Sequence, residues 1–101
     1  MEKIWVKSYT EGVPAEINPD IYHSLNDLFQ QNCAKYAHKV AVSNMGCELT
    51  YAELARLSEN FAAYLQKRLH LGKGDRIALM MPNLLQYYVA MFGALQAGCI
   101  V

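Results

Sequence analysis

Residues 77–101 read IALMMPNLLQYYVAMFGALQAGCIV and contain no Asp, Glu, Lys, Arg or His. Pro82-Asn83 and Gly98 interrupt this apolar run, so it divides into a short strand, a helix and the beginning of a second strand. Continuous apolar strands without alternation are typical of parallel sheets that helices cover on both faces. Such a sheet needs more strands than this run supplies, and a domain usually ends in a polar surface segment. We therefore expect the opening part of a larger α/β protein.

The composition argues against several classes of protein. Nine acidic and nine basic side chains give a formal net charge of zero, which provides no electrostatic basis for nucleic-acid binding. The cysteines Cys33, Cys47 and Cys99 form no Cys-x-x-Cys pair, so we expect reduced thiols rather than disulfides or a zinc site. The N-terminus lacks the long apolar segment of a secretory signal. Residues 84–101 reach the minimum length of a membrane span, but two glutamines and two glycines argue against one.

The chain is predicted to begin with an extended arm, because residues 1–23 contain Gly12, Pro14 and Pro19 and show no sustained period. Five side chains are expected to pin this arm to the rest of the molecule: Tyr9, Val13, Ile17, Ile21 and Tyr22. Residues 24–101 are then predicted to be the first, incomplete part of a large N-terminal α/β domain. Helix, strand, helix and strand in this order are typical of the start of a doubly wound unit.

Local signals predict the elements of this domain. Ser24 is a plausible cap for a first helix. Residues 40–43 and 47–50 are predicted to form two short strands of a hairpin, because the connection Asn44-Met45-Gly46 contains a glycine. Thr50-Tyr51-Ala52-Glu53 is a capping box that starts a second helix. That helix is predicted to bury Leu54, Leu57, Phe61, Tyr64, Leu65 and Leu69 and to expose Arg56, Glu59, Asn60, Ala63 and Lys67.

The remaining residues predict a strand and a third helix. Residues 76–81 are expected to form a buried strand, which Pro82-Asn83 ends, with Asn83 as the N-cap of the helix that follows. Gly98 is expected to end this helix before a second parallel strand from Cys99 onward. The large side chains of the helix gather on one side: Leu84, Tyr87, Tyr88, Met91, Phe92 and Leu95. A stripe of smaller residues (Gln86, Ala90, Gly93 and Ala97) lies opposite and allows a second backbone to approach closely.

No catalytic, cofactor-binding or metal-binding residue is assigned. Gly72-Lys73-Gly74 is interpreted as a structural turn, because phosphate loops run from strand to glycines to helix and here a helix precedes the glycines. The other candidates lack the spacing of metal or nucleophile sites: His23, His38, His70, Ser24, Ser43, Ser58 and Cys47. Asn83 is the strongest polar candidate, because ligands of open α/β sheets gather beyond the carboxyl ends of strands, but helix capping explains it more simply.

Several stretches together resemble the adenylate-forming superfamily, which includes acyl-CoA ligases, luciferases and peptide-synthetase adenylation domains. The first core motif of this superfamily is similar to Leu49-Thr50-Tyr51-Ala52-Glu53-Leu54. The start of its second core motif is similar to Leu95-Gln96-Ala97-Gly98. Residues 74–79 and 81–83 fit the strand and turn between the two motifs. Two longer stretches are similar to bacterial long-chain fatty-acid–CoA ligases in particular. They are residues 13–20 with the following Ser24-Leu25, and residues 80–87. Gln96 stands where many relatives have Lys, which argues against a peptide-synthetase domain.

The resemblance implies a parent enzyme that uses ATP and Mg²⁺ to convert a fatty acid into an acyl-adenylate and pyrophosphate, after which the CoA thiol displaces AMP. Three functional features of the family have no counterpart in these residues: the phosphate loop, the ribose-binding acid and the catalytic lysine. We therefore expect the segment alone to have no ligase activity and to bind no cofactor. The expected partners are the remainder of the parent enzyme and its fatty acid, without nucleic acid. The expected location is the cytoplasm, with peripheral contact at the inner face of the membrane, and the apolar C-terminal helix is a candidate for self-association.

Two alternatives stay open. The chain could derive from another adenylate-forming ligase, or it could be a small non-catalytic interaction module that docks a partner through Tyr87, Met91 and Phe92. A stable monomer with a cooperative melt would favour a self-contained module, whereas oligomers or a non-cooperative melt would favour a segment of a larger fold.

Overall fold

The computed structural model describes residues 2–101 and contains three α-helices and one β-hairpin. A 3₁₀ turn at Ile4–Ser8 comes first. The other elements follow in the predicted order: α1 (Leu25–Lys35), β1 (Val40–Asn44), β2 (Cys47–Thr50), α2 (Tyr51–Lys67) and α3 (Leu85–Gln96). The helices α2 and α3 pack against each other, and α1 and the hairpin lie against this pair.

The contact between α2 and α3 is made through small residues. Ala90, Gly93, Ala94 and Ala97 of the α3 region are all buried. A Cβ atom on Gly93 would lie 2.8 Å from Phe61 Cδ1 and 2.8 Å from the carbonyl oxygen of Ser58, so only glycine allows this approach. The predicted stripe of small residues is therefore confirmed, except for Gln86, which is exposed.

The first helix begins at its predicted cap and packs on α3. The Asp27 amide donates to Ser24 Oγ at 3.1 Å, which supplies a partner for a helix N-terminal N–H. Phe29 stacks on Phe92 of α3, with ring centroids 4.0 Å apart and an interplanar angle of 5°. Asn26 Nδ2 also donates to the Leu95 carbonyl at 2.9 Å. These contacts place α1 across the C-terminal half of α3.

The predicted hairpin is confirmed. β1 and β2 pair antiparallel, and Met45 and Gly46, with φ values of 49° and 81°, form the two-residue loop. Two successive positive φ values are typical of the type I′ turn, which matches the twist of hairpin strands. The loop is thus one residue shorter than the predicted connection. Immediately after β2, the Glu53 amide donates to Thr50 Oγ1 at 3.2 Å and begins α2.

The buried side of α2 differs from the prediction. Leu54 and Leu65 are buried as expected, but Tyr64 is about half exposed, and so is Leu69, which lies beyond the end of the helix at Lys67. Ser58 and Ala62 complete the buried stripe in their place. The reason is the close approach of α3, because a short interhelical distance selects small side chains at the crossing and displaces large ones to its margin.

The predicted buried strand at residues 76–81 is reduced to a single bridge, and the segment is only partly covered. One parallel bridge joins Arg76 to Ile100, with Ile77 N donating to Ile100 O at 2.8 Å and Ile100 N to Asp75 O at 2.7 Å. The parallel pairing is therefore confirmed, whereas the burial is wrong: Met80 is 97% exposed. Within residues 2–101 helices cover this segment on one face, so Ile77 packs inward and Met80 faces away.

Gly98 ends α3 as predicted. Its φ is 89°, its amide donates to the Leu95 carbonyl, and the Cys99 amide donates to the Ala94 carbonyl, each at 3.0 Å. This pair of bonds is a Schellman motif, in which a left-handed residue closes the last turn of a helix. The chain then reverses and returns beside residues 74–77.

The N-terminal arm is not pinned as predicted. Four of the five side chains expected to hold it are exposed: Tyr9, Val13, Ile17 and Ile21. Tyr22 is half-buried, and its hydroxyl accepts a hydrogen bond from Asn32 at 3.4 Å. Lys3 and Glu16 form an exposed ion pair at 2.8 Å within the arm. The arm is therefore anchored at its last residues, and the division at residue 23 stays a prediction.

Candidate functional site

The residues around Asn83 form a groove just beyond residues 76–81. The groove has a volume of about 400 Å³, and we call it the Asn44–Asn83 groove. It is lined by Ala41, Val42, Ser43, Asn44, Asn83, Leu84, Leu85 and Tyr88. In open α/β sheets ligands bind beyond the carboxyl ends of strands, and this groove occupies that position relative to residues 76–81.

Asn83 does not cap α3. The N-cap residue is Leu84, whose side chain makes no capping hydrogen bond. The Leu84 amide donates to the Pro82 carbonyl at 2.8 Å, and this tight turn delays the helix by one residue. The capping role predicted for Asn83 is therefore wrong. Instead its carbonyl accepts a hydrogen bond of 2.7 Å from Asn44 Nδ2, which joins the end of β1 to the start of α3.

The groove offers neutral hydrogen-bonding groups. Its polar side chains are the Ser43 hydroxyl, the amides of Asn44 and Asn83, and the Tyr88 hydroxyl. Such groups can orient a bound polar molecule, but proton transfer near neutral pH needs an acid or base with a suitable pKa. The lining therefore supports binding or positioning rather than catalysis.

Gly72, Lys73 and Gly74 form a turn between α2 and residues 76–81. The Gly72 amide donates to Asp75 Oδ2 at 2.7 Å, and the Gly74 amide donates to the Gly98 carbonyl at 3.0 Å. These amides are thus occupied by bonds within the molecule. The structure agrees with the interpretation of these residues as a structural turn rather than a phosphate loop.

The other residues considered from the sequence are scattered. His23, His38 and His70 are exposed and lie in three separate loops, and within residues 2–101 no group of three or more His, Cys, Asp or Glu could hold a metal ion. The thiols of Cys33 and Cys99 are buried, and that of Cys47 is exposed. Ser58 is fully buried, and its hydroxyl has no hydrogen-bond partner among the described residues.

Among residues 2–101, two ionisable groups have a shifted pKa, and neither lines the groove. Hydrogen bonds from Gln31 Nε2 at 3.0 Å and from the His23 amide at 3.1 Å keep the pKa of Asp27 below its usual 3.8. Burial raises the pKa of the Cys33 thiol above 9.0. The first shift stabilises the N-terminus of α1, and the second makes Cys33 a weak nucleophile.

Sequence reasoning missed the two asparagines that hold α3. Asn44 donates to the Asn83 carbonyl, just before the N-cap of the helix, and Asn26 donates to Leu95 in its last turn, over separations of 39 and 69 residues. Neither asparagine belongs to a local motif that would reveal a distant backbone partner. Only the tertiary arrangement brings these amides to the two ends of the helix.

Comparison with known proteins assigns the fold. Residues 29–101 match the family model described as AMP-binding enzyme. The chain belongs to the AMP-binding enzyme family. The predicted superfamily and the predicted α/β fold are thus confirmed. For residues 2–101, no helix is both long enough and apolar enough to cross a membrane.

Relatives of this chain include long-chain-fatty-acid–CoA ligases. It is 57% identical over all 101 residues to that ligase from Escherichia coli O6:H1, and 34% identical over 100 residues to that from Bacillus subtilis. The chain spans 18% of the length of both relatives. The N-terminal subdomain of Klebsiella oxytoca NpsA, solved in complex with 3-hydroxyanthranilyl-AMSN, superimposes with a TM-score of 0.74 at 26% identity. That match covers 83% of this chain and 22% of the solved one.

Proposed function

We propose that this chain forms the first α/β layer of a long-chain fatty-acid–CoA ligase and is not catalytic by itself. The observation that supports this most directly is the 57% identity with such a ligase over the full 101 residues. The whole enzyme joins a fatty acid to CoA at the expense of ATP, with AMP and pyrophosphate as products and an acyl-adenylate as intermediate. The contribution of this chain is the packed frame that orients residues 76–81 and the groove beyond them.

The described residues do not fit a nucleotide or its metal. Adenylation needs cations and amides around a triphosphate, and Mg²⁺ prefers carboxylate and water oxygens. The lining of the Asn44–Asn83 groove is neutral, and the glycine-turn amides of Gly72 and Gly74 already have acceptors. We therefore assign ATP, Mg²⁺ and CoA binding to other parts of the longer enzyme and derive no chemical step through these residues.

A chimera tests this assignment. The corresponding first 18% of the E. coli ligase is replaced by this chain, and acyl-CoA formation is measured with long-chain fatty acids. We expect activity close to that of the parent, and a matched chimera with Gly93→Val is expected to lose it because the α2–α3 contact cannot form. A correctly folded chimera without activity would refute the proposal.

The isolated chain provides a second test. We expect no ATP–pyrophosphate exchange above background from the 101 residues with any fatty acid. Exchange that depends on both the chain and a fatty acid would overturn the claim that catalysis lies elsewhere. A heat-denatured sample and the Gly93→Val variant are the controls.

One observation favours a second candidate. The chain is 36% identical over 80 residues to triostin synthetase I of Streptomyces triostinicus, so it could belong to a ligase that activates another acid. The two candidates are distinguished by placing this chain in a chimera with each relative and measuring activity with a panel of fatty, aromatic and amino acids.

Location is part of the proposal. We expect a cytoplasmic enzyme that contacts the inner face of the membrane, and co-sedimentation of the chimera with lipid vesicles tests this contact.

A further inference from the structure

Two asparagine side chains hold the two ends of α3. Asn44 Nδ2 donates to the Asn83 carbonyl at 2.7 Å, and Asn26 Nδ2 donates to the Leu95 carbonyl at 2.9 Å. A helix rises about 1.5 Å per residue, which separates the two acceptors by roughly 15–20 Å along α3. The two bonds are therefore alike in chemistry and differ in place, so their roles can be compared directly.

The bond from Asn44 lies at the carboxyl end of residues 76–81, and the bond from Asn26 lies at the other end of the crossover. The parallel bridge between Arg76 and Ile100 places the amino ends of both bridged segments together. In such a crossover the helix runs back from the carboxyl end of one segment to the amino end of the next. The start of α3 beside Asn83 is therefore at the side where ligands of open α/β sheets bind.

We propose that Asn44 is a positioning residue of the complete ligase, whose amide fixes the turn from Pro82 to Leu84 at the carboxyl side of the sheet. This inference rests on the function proposed above and deepens it. Asn44 acts through the backbone of the turn, and no contact with a substrate is assigned to it. Asn26 makes the same kind of bond at the opposite side, where its role is to stabilise the fold.

Asn44 is a firm support because backbone bonds hold it in place. It is the last residue of β1 and pairs with Cys47 across the two-residue turn. The Tyr51 amide donates to the Lys39 carbonyl at 3.0 Å, which ties the beginning of β1 to the beginning of α2. A carbonyl oxygen can only accept, so the nitrogen of the Asn44 side chain must face Asn83. Loss of this donor leaves the turn free to shift while the hairpin stays intact.

Matched substitutions at the two asparagines test the proposal in the chimera with the E. coli ligase. Asn44→Ala is expected to lower kcat for acyl-CoA formation by about tenfold, because a small displacement misaligns reacting groups. Asn26→Ala is expected to leave kcat nearly unchanged and to lower Tm by a comparable amount, since each variant loses one hydrogen bond from a side chain to the backbone. All assays are run well below the Tm of every variant, so that an effect on stability alone does not lower kcat.

Two further variants separate the hydrogen bond from side-chain volume. Asn44→Asp keeps the volume but replaces the donor by an acceptor, so its kcat should fall at least as far as that of Asn44→Ala. Asn44→Gln keeps the donor on a longer side chain and should recover part of kcat. Hydrogen exchange measured by mass spectrometry should be faster in peptides that contain Leu84 for Asn44→Ala and unchanged for Asn26→Ala, because the Leu84 amide donates to the Pro82 carbonyl within the turn.

The outcomes distinguish this inference from the proposed function. An active wild-type chimera in which Asn44→Ala keeps its kcat, or in which both asparagine variants lose kcat equally, would overturn the positioning role alone. A folded but inactive wild-type chimera would refute the proposed function, and this inference with it. If Asn44→Ala does not fold, which circular dichroism shows, equal kcat values of Asn44→Gln and Asn44→Asp would overturn the role in the same way.

Discussion

The contact between α2 and α3 makes Gly93→Ala the most informative substitution in this chain. The new Cβ would lie 2.8 Å from the Ser58 carbonyl oxygen and 2.8 Å from Phe61 Cδ1, closer than ordinary van der Waals contact. The phenylalanine ring can rotate, but the carbonyl belongs to the backbone of α2, so the helices must separate.

The magnitude follows from two opposing effects. Overpacking in a core costs about 1–3 kcal/mol, and a clash with backbone belongs to the upper part of that range, about 2–3 kcal/mol. Replacing a glycine inside a helix by alanine recovers about 1 kcal/mol of helix propensity. We expect a net loss of about 1–2 kcal/mol in the free energy of unfolding, which lowers Tm by about 4–16 °C for a chain of this size.

Urea denaturation followed by circular dichroism at 222 nm measures this loss. Gly72→Ala is the control: its new Cβ meets nothing within 4 Å and its φ is not positive, so stability should be unchanged or slightly raised. Adding Phe61→Leu to Gly93→Ala should restore only part of the loss, because the clash with the Ser58 carbonyl persists. If Gly93→Ala were as stable as the wild type, the close approach of the two helices would be refuted.

Three further predictions follow from local contacts. Thr50→Ala should lower the free energy of unfolding by about 1 kcal/mol in urea titrations, because an α2 amide loses its acceptor, whereas Thr50→Ser should be nearly neutral. The hydrogen bond from Gln31 lowers the pKa of Asp27 in the folded chain. The ionised Asp27 carboxylate therefore stabilises the fold above the unfolded pKa of about 3.8, and this stabilisation is lost as the pH falls through the lower folded pKa. NMR titration of Asp27 should give a higher pKa in the Gln31→Ala variant than in the wild type. Cys47 should react with a thiol reagent much faster than Cys33, whose pKa burial raises, and equal native rates at pH 8 would contradict the packing of α1.

The sequence predicted those features that local chemistry determines. Ser24 and Thr50 cap helices because a hydroxyl can accept an amide three residues later, and Gly98 closes α3 because its conformation requires a positive φ. The small-residue stripe was visible because alanine and glycine recur at helical spacing. Family membership followed from motifs that include these capping residues.

Features that depend on the tertiary arrangement were not predictable from the sequence. Asn83 is a good capping residue, but the turn from Pro82 to Leu84 moves the helix start beyond it. Tyr64 fits an apolar stripe, yet the close contact at Gly93 displaces it to the margin. The hydrogen bond from Asn44 to the Asn83 carbonyl joins residues 39 positions apart. The sequence around either residue therefore does not predict the groove.

The two asparagine amides that hold the ends of α3 also bear on how the chain folds during synthesis. α3 has no side-chain cap, acidic first turn or basic last turn of its own, so a peptide of this segment would be a poor helix in water. Chains fold progressively from the N-terminus during translation. Asn26 and Asn44 precede α3 in the sequence, so both amides leave the ribosome before α3 does. They are therefore available to bond the helix as it emerges. A circular permutant that placed α3 ahead of α1 would reverse this timing while keeping every final contact.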